Sequence, residues 1–259
     1  GGFNVRGTPD SPEVRAGLIL VNGRIGEVDV KQGTVEFSPS EEGYALASDL
    51  VFDGGGKLAV RGHLPLSLSD LDLNKPGLDI ALSGTGVPLA MAAGPGGLSD
   101  ARGLLTLEGG VKGTLAAPVP VLGVRTTDAA FTLAAAGLRY DPIDIDIGFT
   151  PERLDLRKFD IRSRQLWAIK PRQGTLSLSG SVDMDNGELT NVDVSARMEE
   201  FWLSSIKLAT LAVSGDIKVD GVYPDLRIDG ALAADEARFE VGESDLAESS
   251  GLEMDPTIV

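Results

Sequence analysis

Apolar and polar residues alternate with a period of two along almost the whole chain, and that alone excludes most folds. The clearest runs are Val28–Phe37, Leu64–Leu73, Ile143–Phe149, Thr175–Met184 and Asp225–Leu232. On a strand, this period puts Ile143, Ile145, Ile147 and Phe149 on one face, with Asp144 and Asp146 on the other. One face then meets something apolar and the other meets water, which is the antiparallel pattern. Spacing compatible with a helix is confined to Val87–Gly94 and Ser204–Val213, with room for a single short helix in the first or around Phe201–Leu208. The sequence predicts an all-β chain.

Glycine and proline, at 33 and 14 residues, punctuate these runs. Asn22-Gly23, Asp53-Gly54, Asn186-Gly187 and Asp220-Gly221 each pair a residue that tolerates positive φ with a glycine, a turn signal. Asn186-Gly187 is the strongest hairpin signal. Gly94–Gly103 and Ala116–Pro120 read as looser stretches suited to a crossover. Strands of roughly 8 to 10 residues would number on the order of 20. One stacked sheet of them would extend on the order of 100 Å. From Gly242 the chain is acidic and loses its alternation, so residues 1–241 read as the β segment and 242–259 as a flexible tail or linker.

Charge and composition remove several classes of function. A net charge of −16 opposes nucleic acid, whose phosphates need clustered Lys and Arg. It also opposes strong adhesion to anionic lipid surfaces, though not the holding of single lipid molecules. The chain has no cysteine and one histidine, His63, which excludes thiol chemistry, Cys-type metal sites and a multi-His site within it. Asp144, Asp146, Asp155 and Asp160 fall on the polar faces of alternating strands, where a solvated surface puts charge. Asp183–Glu188 resembles a calcium loop only out of register, and its flanks alternate as strands do. Neither Gly54-Gly55-Gly56 nor Gly94-Pro95-Gly96-Gly97 has the helix and Lys-Ser/Thr of a phosphate loop. No enzyme activity, metal or cofactor is expected. No run approaches the roughly 20 apolar residues of a membrane-spanning helix. The opening residues carry no apolar leader, so the chain reads as an internal piece whose membrane anchor lies elsewhere. Met198, Phe201 and Trp202 cluster in sequence, as a local hydrophobic cap or as a plug or partner contact at one end of a groove; Trp167 is the other tryptophan.

A loose repeat recurs, in which an alternating strand bounded by glycines is followed by a short linker and another strand. Gly215–Gly230 is the best copy, with others at Gly103–Pro118, Gly56–Pro65 and Gly174–Leu189. These runs resemble those of the TamB family, relatives of the AsmA-like proteins of Gram-negative envelopes. Ala129–Ser163 adds to the likeness, with Tyr140 at a turn, Ile143, Ile145, Ile147 and Phe149 on the next strand, then Leu154, Leu156, Phe159 and Ile161. The resemblance covers most of Gly54 to Phe239 and places the chain in the middle or towards the C-terminal end of such a protein. It implies a long antiparallel sheet curled into an open half-pipe, a β-taco-like groove, with an apolar concave face and a polar convex one. It further implies a periplasmic location in a Gram-negative bacterium and an inner-membrane anchor outside this chain. The expected role is carriage of phospholipid acyl chains between inner and outer membranes, together with support of outer-membrane protein assembly. A TamA-type outer-membrane barrel is the implied protein partner, through regions outside this segment.

The candidate lining residues are Leu64, Leu66, Leu68, Ile143, Ile145, Ile147, Phe149, Leu154, Leu156, Leu176, Leu178, Val182, Leu211, Val213, Ile217, Val219, Leu226 and Ile228. Alternation by itself allows a different fate for the same side chains, the interior of a structural or adhesive β-sandwich or solenoid that binds protein partners.

Overall fold

A computed structural model describes residues 1–8, 11–66, 72–93, 98–185 and 187–240. Its strands are β1 (Gly2–Thr8), β2 (Ser11–Ile25), β3 (Val28–Ser40), β4 (Gly43–Phe52), β5 (Lys57–Leu64), β6 (Leu78–Pro88), β7 (Ser99–Gly113), β8 (Pro118–Leu133), β9 (Leu138–Thr150), β10 (Arg153–Gln165), β11 (Gln173–Asp185), β12 (Glu188–Ser205), β13 (Ala209–Val222) and β14 (Asp225–Phe239). A four-residue helix, α1 (Ala90–Ala93), follows β6, and a 3₁₀ turn spans Ala134–Ala136.

All 14 strands form one sheet in sequence order, every neighbour antiparallel. The sheet is not closed: β1 and β14 are its two edges. It curls towards its apolar side as an open half-pipe, and among the described residues no second sheet covers it. At about 4.8 Å per strand, its 13 spacings carry the groove roughly 60 Å.

The strands are fewer and longer than the expected 20 or so, because many glycines read as strand ends lie inside strands. Asn22, at φ 48°, lies within β2, and Asp220-Gly221 lies within β13. The turns fall instead at Gly26-Glu27 and at Tyr223-Pro224. Asp53-Gly54 does turn the chain between β4 and β5. Asp185 pairs with Glu188 across the β11–β12 hairpin, where Asn186 itself lies outside the described residues. The two looser stretches make no crossover, since Ser99–Gly103 already belongs to β7 and β8 begins at Pro118. The helical reading is met at α1, while Phe201–Ser205 continues β12. The stretch read as a tail, 242–259, lies outside the described residues, as does Leu68.

Gly180 shows what such an interior glycine does. It sits at φ 130°, and a Cβ there would stand 2.0 Å from the carbonyl oxygen of Asp193 on β12. The missing side chain lets two strands approach where the sheet bends. Gly180→Ala is expected to lower stability by about 1–3 kcal/mol through steric overlap and backbone strain, measured as a fall in the urea midpoint.

Candidate functional site

Residues paired across an antiparallel ladder point to the same side of the sheet. The registers can therefore be followed from strand to strand. One row runs Leu20, Gly33, Leu50, Leu58, Gly84, Leu107, Val124, Ile147, Leu156, Gly180, Val194, Val219 and Ile228, from β2 to β14. The next row, from Leu18 and Val35 through Leu122, Phe149, Leu154, Val182 and Val192 to Leu226, has Ser48 as its one polar member. Beside them lie Ile145, Phe159, Leu178, Ala196, Ile217 and Gly230, then Ile143, Ile161, Leu176, Met198, Gly215 and Leu232. No charged side chain enters any of these rows.

Most of these side chains are half-buried, as the lining of an open trough should be, and not sealed as in a two-layer core. Exposure rises towards the edges, to 55% at Leu18 and 72% at Ile228. The opposite face carries the charge. Arg125 and Arg157 both reach Asp146, at 2.6 and 3.1 Å, and Arg153 meets Asp183 at 2.7 Å. Lys158 bonds Asp144, which holds its ammonium above the ordinary lysine range. Pairs as exposed as these contribute little to stability, but they keep water on that face. His63 belongs to β5, with Nδ1 3.1 Å from the Ser40 hydroxyl.

Two packed clusters line the rim where β2, β4, β6, β8, β10 and β12 end. In the first, Val28, Val30, Phe52, Val87 and Leu105 are buried together, with Leu89, Ala90 and Met91 packed on them from the α1 turn. In the second, Trp202 is fully buried with Leu138 and Ala212. β11 begins only at Gln173, which leaves a gap between the ends of β10 and β12. Trp202 fills it, and its backbone N–H donates to the Ser163 hydroxyl of β10 at 2.9 Å. Phe201 is buried as well, its ring 6.2 Å from that of Tyr140. These aromatics therefore form a local cap at the rim.

The described lining candidates all fall on the apolar side of strands except Leu66, which follows β5 in a turn and donates its N–H to the Leu64 carbonyl at 2.8 Å. Ile143 is the most buried of them, at 4% exposure. Strands β2 to β8 supply half the face through residues such as Leu20, Leu50, Leu82 and Leu107, which the sequence reading left out. Their alternation is as regular, but only the ladder register ties them to the same rows.

Comparison with known proteins bears on residues 164–257, which match the family model of the TamB C-terminal domain. That stretch is similar to the C-terminal domain of TamB proteins. The matched part begins in the last residues of β10, includes β11 to β14, and runs on through most of the stretch read as a tail. The match relates residues 164–257 to the TamB family of envelope proteins. No curated protein and no solved structure matches the chain. Among the described residues, no helix is long and apolar enough to cross a membrane.

Trp202→Ala is expected to cost about 3–5 kcal/mol, because it opens a cavity at the rim, whereas Trp167→Ala, at a site 74% exposed, should stay within about 0.5 kcal/mol. Burial pushes the Tyr140 phenol above its ordinary range. A phenol whose folded pKa is raised contributes stability below about pH 10 and loses it as pH rises through the folded value. Tyr140→Phe should therefore lose less stability than the parent between neutral and alkaline pH, as followed by denaturant titration.

Proposed function

We propose that this chain is a non-enzymatic segment of a periplasm-spanning protein whose groove carries phospholipid acyl chains between the inner and outer membranes. The observation that carries the reading is the unbroken set of uncharged rows from β2 to β14 on an uncovered face. An apolar surface of that extent facing water needs a partner. Acyl chains supply one at about 0.8 kcal/mol per buried CH₂. Aliphatic side chains offer no hydrogen bonds that would hold a chain in one place, so a lipid meets many similar shallow sites in succession. Transport needs that, and not a single deep well.

The match to the TamB C-terminal domain supports the remaining parts of the proposal. These are support of outer-membrane protein assembly, a TamA-type barrel engaged by regions outside this segment, and an inner-membrane anchor elsewhere in a Gram-negative protein. A protein-binding sandwich or solenoid with a packed interior would need a layer over these rows, and the described residues provide none.

Mass spectrometry of organic extracts from the gently purified protein tests the proposal. Stoichiometric phospholipid is expected in the parent. Ile145→Asp and Leu178→Asp put charge into one row of the groove, and both should keep the circular dichroism of the parent while losing the lipid. A stable parent that yields no lipid would sink the conduit reading. Global unfolding of both variants would return the face to a packed interior.

A further inference from the structure

The loop between β10 and β11 is unlike the rest of the chain. From Ile161 to Val182 the sequence holds Arg162, Arg164, Lys170 and Arg172 and not one Asp or Glu, within a protein of net charge −16. At the tip of this stretch, Trp167 is 74% exposed and Ile169 fully exposed. Both ends of the loop are held. The Leu166 N–H donates to the Gly137 carbonyl at 3.0 Å, and the Arg172 N–H to Gln165 Oε1 at 3.2 Å. The Arg172 guanidinium bonds Glu200 and Glu236 and lies 5.4 Å from the centre of the Trp202 ring. The loop is thus pinned at its base while its largest apolar side chains are left outside.

Neighbouring turns extend the patch along the same rim. Gly137, which receives Leu166, also lies against Ser205 and Ile206, where a Cβ would come within 2.1 Å of the Ser205 carbonyl. Beyond them, Leu208 is 63% exposed beside Lys207, and its carbonyl accepts the Glu240 N–H at 3.0 Å. Phe239, at the end of β14, is 67% exposed.

We infer that this rim patch docks on the surface of a bilayer containing anionic lipid. Tryptophan beside aliphatic side chains suits the headgroup boundary, where the ring is buried and the indole N–H stays wet. Lys and Arg add attraction to anionic headgroups, and their long stems reach water from a seated loop. Net charge averages over the molecule, but a charge acts on a surface only within about a Debye length, near 10 Å. A local cationic loop can therefore dock although the whole protein is acidic. The patch lies outside the groove rows, so lipid docking here and lipid carriage there can fail separately.

Co-sedimentation with vesicles of phosphatidylcholine, with and without phosphatidylglycerol, tests the inference. The protein should bind the phosphatidylglycerol vesicles, less so at high salt, with a blue shift of tryptophan emission and protection from acrylamide. Trp167 is the source of both signals, because the only other tryptophan, Trp202, is already buried. Trp167→Ser with Ile169→Ser should weaken binding at least about tenfold, since two side chains lose their burial. Lys170→Glu should weaken it by more than about fivefold, the factor for removing one charge at ~1 kcal/mol. Failure of the parent to bind, binding equal on both vesicle types, or undiminished binding by the double variant would each overturn the proposal. The emission shift of the parent serves as a readout that does not depend on how any variant folds.

Discussion

Backbone hydrogen bonding between adjacent antiparallel strands ties each residue to the one opposite it, and the side-chain period of two does the rest. Because every strand here pairs with its neighbours in sequence, register passes from β1 to β14 without a crossover that could break it. A shift of one residue in any ladder would move that strand's apolar set to the charged side. Bulges at Leu156–Phe159, Met198–Phe201 and Gly84–Val87 absorb extra residues in a way that keeps the rows in line. The groove is the product of that bookkeeping repeated strand after strand.

Among the described residues the single curled layer has no opposing sheet to pack against, so its stability is gathered unevenly. The best-buried side chains lie at one rim, where α1 folds onto Phe52 and Val87 and where Trp202 closes the gap beside β10. Most of the groove face is only half-buried, and each strand touches mainly its two neighbours. In that respect the molecule resembles a repeat protein, with stability summed from nearest-neighbour contacts. The same economy leaves the middle of the face free. A surface that packs poorly against its own chain is one that can accept a mobile apolar guest.

The two kinds of aromatic residue divide along this line. Trp202 and Phe201 serve the fold, being buried where strands end unevenly. Trp167 is largely exposed and belongs to neither buried cluster. Both sit in short apolar stretches of sequence, Phe201-Trp202-Leu203 and Leu166-Trp167, and neither stretch alone tells which fate applies. The difference comes from β11, whose late start exposes one loop and opens the gap that the other tryptophan fills.

The sequence by itself determined the all-β class, the antiparallel pairing, the face on which Ile143, Ile145, Leu176 and Leu178 lie, and the likeness to TamB. Each of these rests on local periodicity, which a strand cannot disobey without turning its apolar side to water. Other features were not legible. Glycines such as Gly180 and Gly221 look alike in sequence whether they end a strand or bend it, so strand number was overestimated. The rows from Leu20 to Leu107 needed the ladder register, because alternation says that two residues share a face of one strand and not that two strands align. That no second layer among the described residues covers the apolar face was likewise decided only by the tertiary structure. Sandwich and half-pipe have the same alternation, and they differ in whether the chain's curvature brings a second layer over the first.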